Sequence, residues 1–510
     1  MTAASDPVAA RPLPPDEAAR ERIRTDLDTT LFVEAGAGSG KTTALVDRVV
    51  ALVTTGTVEL RHLAAITFTE KAGAELRDRV RRKLEEVATN PDSVVVERCR
   101  SALAQLDGAA IGTLHAFAQR LLTEHPVEAG LPPRVEVLDE VSSAVAFDRR
   151  WAHVLDQILD DPDLERTILL LHAADVGPAK LRSLALAFDE SWDLVEELVP
   201  DSCPPPPAVA ELLPKVHEEL RLLVELADQC IDDSDPLLTM VRDLLGYGEL
   251  LGRTGPDDLD LLEVLVAPLP KYRRNAGRGG SWRGCKDQVH SQIQAVHEAV
   301  AAVHGGVLDA CAHHLGTALR RHTIAAAEAR REDGRLEFHD LLVLARKVLR
   351  HPEQGPVVRA SLHERYQRLL LDEFQDTDPI QIELAVRIAA VDPDTADAER
   401  WHDVDVSPGR LFVVGDPKQS IYRFRRADIA TFLEARERFA PEAGGAVELT
   451  ANFRTVEPII GWVNRTFRTL MHEAPDTDVP QPSQPEYVDL QAQRAPAPVG
   501  PPLAVVGVTP

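Results

Sequence analysis

The chain has 510 residues, 44% of them hydrophobic and 27% charged, with a formal net charge of -26. That length exceeds one ordinary domain, and the composition is that of a soluble globular protein rather than a disordered one. The charge counts against a uniformly basic nucleic-acid binder, yet screening over about 10 Å at 0.1 M salt lets a basic groove coexist with acidic outer faces. The acidity is regional: DQILDDPDLE, DESWDLVEELVPD and DDLDLLE all lie between residues 150 and 270 and read as solvated helix faces. No apolar run is long enough to span a bilayer. The opening MTAASDPVAARPLPPDEAAR has neither the basic start nor the apolar stretch of an export signal, so a cytoplasmic location is expected. Cys99, Cys203, Cys230, Cys285 and Cys311 lie far apart and form no CxxC pair, which is not a disulfide framework and makes a poor zinc or iron–sulfur site.

In chain order, LFVEAG, LAAITFT and AAIGTLH read as buried strands, each followed by a helical stretch, KTTALVDRVVALV, EKAGAELRDRVRRKLEEV and AFAQRLLTEH. This alternation predicts a parallel α/β layer from about residue 30 to 125. From 126 to 330 the pattern becomes helical and is broken at CPPPPAV and GRGGSWRG. Within it, KYRRNAGRGGSWRGCK (271 to 286) mixes basic residues and glycines with Tyr272 and Trp282. Two readings stay open there, a mobile loop touching nucleic-acid backbone and bases, and an ordinary solvated loop. Strands return as RLLLDE, RLFVVGD and AVELTANFR, followed by the helix EPIIGWVNRTFRTLM and a proline-rich tail from Pro480.

Two motifs carry nucleotide chemistry. AGAGSGKT (35 to 42) lies between a strand and a helix and matches the phosphate-loop pattern, with Ala35 at the first glycine position. Its backbone N–H groups, from Ala35, Gly36, Ala37, Gly38, Ser39 and Gly40 through to Thr43, can curl round an anion at the helix start. Lys41 can then reach the β- and γ-phosphates of ATP, and the Thr42 hydroxyl can hold Mg²⁺. LLLDEFQDT (369 to 377) puts Asp372 and Glu373 at the end of an apolar strand, aimed at Mg²⁺ and at the attacking water.

Together with ITFTEKAGAELRDRV, IGTLHAFAQRLL, EFHDLL, GDPKQSIYRFRRADI and LTANFR, these motifs stand in an order that resembles the UvrD/Rep family of superfamily 1 helicases, nearest to its RecB/AddA branch. The resemblance covers residues 36 to about 455. It implies a RecA-like P-loop NTPase sheet built from 1–125 and 331–446, a helical insertion at 126–330, and an incomplete second RecA-like domain at 447–510. It implies ATP hydrolysis coupled to 3′-5′ movement on single-stranded DNA in repair or recombination. Single-stranded DNA and duplex junctions are the implied partners, together with a nuclease or helicase partner chain and no membrane. By the same resemblance Gln419 senses the γ-phosphate and Arg454 reaches it from the second domain, a role worth on the order of 10³–10⁵ in rate in related chemistry. Phe453 stacks on adenine, although by residue type it is equally a core side chain. Phe68, Thr69, His115, Tyr422 and Phe424 line the strand groove, where aromatic faces suit single strands.

The sequence departs from the family in three places. The glutamine that reads the adenine edge is missing ahead of the phosphate loop, with Asp16 and Arg20 as substitutes. Arg426 stands where a glycine is usual, a change that adds a phosphate contact or distorts the turn. Nothing matches the last two motifs of the second domain. A non-catalytic nucleotide-sensing DNA module is therefore the alternative to a motor. A small-molecule kinase is set aside, since GTLHAF and QSIYRFR have no use in one.

Overall fold

The computed structural model describes residues 13–89, 91–392, 398–423, 426–439, 445–471, 485 and 487–495. The chain divides into two compact units, one of Met1–Arg134 with Asp340–Pro510 and the other of Val135–His339. The helical insertion was expected at 126–330, so both of its observed limits lie about nine residues further on.

Among the described residues the strands are β1 (Leu31–Ala35), β2 (Leu63–Thr67), β3 (Ala110–Thr113), β4 (Glu136–Val137), β5 (Arg335–Leu336), β6 (Arg368–Leu371), β7 (Leu411–Gly415), β8 (Ala446–Leu449), β9 (Ala451–Val456) and β10 (Gln491–Arg494). In the first unit six of them form a parallel sheet in the order β3-β2-β6-β7-β1-β8. Its central strands are mostly apolar because both faces are covered, with Glu34 of β1 and Arg368 of β6 the charged exceptions. Leu31, Val33, Leu370, Phe412 and Val414 join one core, while Phe32 turns the other way and meets Phe374 and Phe432 edge-on at 6.1 and 5.0 Å.

Five helices accompany the first three strands: α1 (Glu17–Thr25), α2 (Lys41–Thr54), α3 (Glu70–Val87), α4 (Ser93–Gln105) and α5 (Leu114–Glu124). Thr69 and Thr113 start α3 and α5 by accepting the N–H groups of Ala72 and Ala116. Arg48 of α2 is buried under the end of α1, donating to the carbonyls of Ile23 and Asp26 at 3.0 and 2.8 Å. Burial lowers its pKa to about 10, and its guanidinium lies 4.9 Å from the Phe412 ring centroid.

The sequence reading opens a second domain at residue 447, but β8 pairs with β1 from Phe32↔Ala446 to Ala35↔Leu449 and is the sixth strand of the first sheet. A separate parallel pair, β9 with β10, follows it, with the helix Glu457–Leu470 packed alongside.

The second unit is helical except for the short β4–β5 pair. Its spine is the helix Lys286–Asp333, 48 residues and so roughly 70 Å long, ended by Gly334 in the left-handed conformation (φ 66°). A buried charge network closes its far end: Arg330 donates to Asp189 at 2.9 Å, and Arg150 bridges Asp189 and Glu337 at 2.7 and 3.2 Å.

Most of the basic stretch 271 to 286 is solvated, as in the second reading, but its aromatic residues are packed rather than free. Trp282 has no exposed surface and belongs to the helical core, and the Tyr272 hydroxyl bonds His290 Nδ1 at 2.8 Å. The loop is anchored by Asp235, a fully buried carboxylate that accepts the N–H groups of Arg278 and Leu237, both at 2.8 Å. Burial alone would raise the Asp235 pKa, but these bonds overcome it and hold the carboxyl below its ordinary range. Trp282 is therefore unable to meet a base.

Candidate nucleotide and nucleic-acid site

The candidate residues gather at the carboxyl ends of the parallel strands, where open α/β sheets take their ligands. The loop from β1 to α2 turns through Gly38 (φ 73°) and Gly40 (φ 87°), conformations that cost a glycine little. A Cβ on Gly38 would also come within 2.7 Å of Arg454 Cβ. Ala35 is tolerated at the first glycine position because it is still part of β1, extended and paired with Leu449. The Ser39 side chain is fully buried, and its hydroxyl has no hydrogen-bond partner among the described residues. An orphaned hydroxyl in a glycine-rich loop at the start of a helix fits a phosphate group.

Lys41 opens α2 and its ammonium lies 2.7 Å from Glu373 Oε2, joining the two motifs across 332 residues of chain. Glu373 itself sits at φ 48°, a left-handed conformation rarely taken by a residue with a side chain. It is held there by its N–H bond to Asp372 Oδ1 (3.0 Å) and by its carbonyl, which accepts the Asp376 N–H at 3.0 Å. Thr42 and Thr43 follow Lys41 in the first turn of α2.

Gln375, inside LLLDEFQDT, carries no role in the sequence reading. Almost fully buried, it donates to Glu373 Oε2 at 2.9 Å and to Asp376 at 3.1 Å, while its Oε1 accepts the Asp416 N–H at 2.8 Å. Its carbonyl accepts from Ser420 at 3.0 Å. One side chain thus links the carboxylate pair after β6 to the loop after β7. On that loop Gln419 donates to Asp416 at 2.5 Å, and Lys418 lies 3.3 Å from the same carboxylate.

Asp372 is deeply buried. Burial first, and then the neighbouring Glu373 charge, raise its pKa to about 6, with Lys41 opposing. Asp376 is raised to about 6 by the same two causes. A group whose folded pKa lies above its unfolded value favours folding only while it can keep its proton. The folded state accordingly loses stability as pH rises from about 4 through about 6. Asp372→Asn, which stays neutral, is expected to melt above the wild type at about pH 7.5, with the gap closing toward pH 4. Equal melting temperatures across that range would show that Asp372 is not held as a buried charge.

The strand β9 lies over the phosphate loop. The Phe453 N–H donates to the Gly38 carbonyl at 2.9 Å, and Asn452 Nδ2 donates to the Ala37 carbonyl at 2.5 Å. Asn452 Oδ1 accepts the N–H groups of Arg454 and Thr455 at 3.0 and 2.7 Å, so this side chain shapes the turn that presents Phe453 and Arg454, both exposed. Sequence reading assigned Asn452 nothing, although it stands inside the ANFR motif.

The candidate DNA residues divide. Phe68, just past β2, and Tyr422, from the loop after β7, place their rings 4.9 Å apart with a 40° tilt. His115 follows β3, the strand beside β2, and is partly exposed. The Thr69 hydroxyl is committed to capping α3. Phe424 lies outside the described residues. Arg426 adopts φ 66°, the conformation its usual glycine would take, and its guanidinium lies 3.4 Å from Asp378. Since β2 and β1 are three strand intervals apart, the aromatic group and the phosphate loop are separated by roughly 14 Å along one sheet edge.

Among the described residues no helix is long and apolar enough to cross a membrane, and no group of three or more His, Cys, Asp or Glu side chains could hold a metal ion. Mg²⁺ needs no such cage, because it keeps its waters and binds through one or two carboxylates plus substrate phosphates. Asp372 and Thr42 fit that manner of binding.

Several curated relatives align over most of the chain. It is 28% identical over 499 residues to an ATP-dependent helicase/nuclease subunit of Geobacillus thermodenitrificans, covering 87% of this chain and 38% of that protein. The protein of the same name from Desulforudis audaxviator is 30% identical, covering 88% of this chain and 39% of its own. That from Moorella thermoacetica is 28% identical, with 89% and 34% covered. The chain thus spans under two fifths of the length of these relatives. A family model, the UvrD/REP helicase N-terminal domain, matches residues 16–440, which takes in the phosphate loop, the carboxylate pair, the helical unit and the Gln419 loop. With its parallel sheet and the order of its motifs, the chain belongs to the UvrD/REP helicase N-terminal domain family.

Proposed function

We propose that the chain binds and hydrolyses ATP and couples that cycle to movement on single-stranded DNA, as the front end of a helicase acting in repair or recombination. The observation that carries this reading is the Lys41–Glu373–Gln375–Asp416 chain of contacts, which joins the phosphate loop to the loop bearing Gln419 and Tyr422. When the phosphates arrive they compete with Glu373 for Lys41, and the released carboxylate is free to orient water. Gln375, bonded to Glu373 and to the Asp416 N–H, passes that change to the loop carrying Tyr422. Asp372 and Thr42 would hold Mg²⁺, which neutralises phosphate charge when bound. Arg454 and Phe453 supply the second wall of the site, over the phosphates and the base respectively, and β9 and the helix after it begin the second motor domain. The 3′-5′ direction, duplex junctions as substrates and a helicase or nuclease partner chain complete the proposal, in keeping with the names of the relatives.

The test is ATP hydrolysis with and without single-stranded DNA, alongside DNA binding by Tyr422→Ala. Stimulated turnover, with affinity for DNA reduced by about 1–3 kcal/mol in the variant, is expected. Tight ATP binding without turnover would instead identify a nucleotide-sensing module. No binding of ATP would overturn the reading.

A further inference from the structure

Three stretches of chain meet at Arg20. Its guanidinium donates from Nε to Asp16 Oδ1 at 2.9 Å, and from Nη2 to Asp16 Oδ2 and to the Ser39 carbonyl, both at 2.8 Å. Asp16, itself buried, uses Oδ2 a second time to accept the Ala451 N–H at 3.0 Å. The pair therefore fastens α1 to the phosphate loop on one side and to the first residue of β9 on the other. Arg20 Cζ lies 5.1 Å from the centroid of the Phe453 ring, which is 42% exposed. The guanidinium covers part of that ring and leaves the rest open for a flat partner.

The unused part of the arginine decides what that partner can be. Nη1 makes no hydrogen bond among the described residues and lies 3.6 Å from where a Cβ on Gly40 would stand. A guanidinium only donates, whereas a side-chain amide both donates and accepts. An amide can match the N6 donor and N7 acceptor of adenine together. Arg20 can meet N7 of either purine and O6 of guanine, but it can accept nothing from adenine N6.

We propose that the Asp16–Arg20 pair is the base-side wall of the nucleotide site, holding a purine by stacking on Phe453 and by a donor-only edge, so that guanosine triphosphate is accepted beside ATP. The inference rests on the nucleotide-site reading given above. Asp16 is the positioning residue, fixing the plane of the guanidinium, and Arg20 is the residue that meets the base.

The test is displacement of a fluorescent ATP analogue by ATP, GTP and inorganic tripolyphosphate, the last reporting on the phosphate loop alone. An amide-type readout separates the two purines by about 5–150-fold; ATP and GTP are expected to lie within about 5-fold of each other. Arg20→Ala is expected to weaken ATP and GTP alike by about tenfold, the scale of one lost charged contact, while tripolyphosphate, which feels only the lost grip on the Ser39 carbonyl, weakens clearly less. If that variant does not fold, Arg20→Lys, which keeps the charge but loses the planar fork, gives the same split. A wild type that prefers ATP by more than about 10-fold overturns the proposal, as does an equal loss of nucleotide and tripolyphosphate. Binding of tripolyphosphate with strict ATP selectivity defeats this inference alone. Binding of neither nucleotide nor tripolyphosphate defeats the nucleotide site itself.

Discussion

Glu373→Gln is expected to lower ATP turnover by about 10²–10⁴-fold, the range for loss of a positioned general base, with nucleotide affinity changed only a few-fold. The substitution keeps the shape of the side chain, so the replacement oxygen can still accept from Lys41, 2.7 Å away in the wild type, and from Gln375 at 2.9 Å. What disappears is the negative charge and the ability to take a proton from water. The left-handed backbone at Glu373 makes the same point through stability. A non-glycine residue there costs roughly 1–2 kcal/mol, a strain kept where the side chain is needed. Glu373→Gly should therefore melt higher than the wild type while hydrolysing nothing. Single-turnover hydrolysis and thermal melting on the two variants check both statements. Turnover at the wild-type rate in Glu373→Gln would remove this carboxylate from the reaction.

Trp282→Ala is expected to cost the helical unit about 3–5 kcal/mol, the usual range for emptying a fully buried aromatic site. Trp282 has no exposed surface. The surrounding arginines, although they make the segment look like a nucleic-acid loop, are its solvent side: Arg278 pairs with Asp232 at 2.7 Å with more than half of its own side chain exposed. Arg278→Ala should change stability by less than about 1 kcal/mol. Calorimetric melting of the full chain separates the two, with loss of the helical unit's transition in the tryptophan variant only. Equal effects from both variants would mean that the loop is held by its charges rather than by its ring.

The strands β1, β2, β6 and β7 were legible because each carries three or more consecutive apolar residues with a turn signal after it, and the phosphate loop because glycine at φ 73° and 87° leaves a visible spacing. The limits of the sequence reading lie where one segment depends on another distant in the chain. Ala446–Leu449 reads as a strand in either domain, and only its pairing with β1 assigns it to the first sheet. Gln375 and Asn452 look like ordinary polar residues until their partners, Asp416 and Ala37, are brought within hydrogen-bond distance. Asp16 and Arg20 were singled out because a glutamine was missing, but their grip on Ser39 and Ala451 has no local signature. Trp282 was misread because composition reports the neighbours of a residue in sequence, and burial is decided by its neighbours in space.

The strand order also sets a schedule for the chain as it is made. In the sheet Leu31 pairs with Phe412, and Ala64 pairs with Leu369, so the apolar edges of β1 and β2 wait for partners that emerge much later. At 5–20 residues per second that wait is on the order of 20–80 s. The helical unit, formed from one continuous stretch, can complete its core during the interval. The nascent first half is therefore the vulnerable species, with unpaired strand edges of the kind that invite aggregation. Chaperone dependence and low soluble yield should track the delay in synthesising β6 and β7 more closely than the stability of the finished fold.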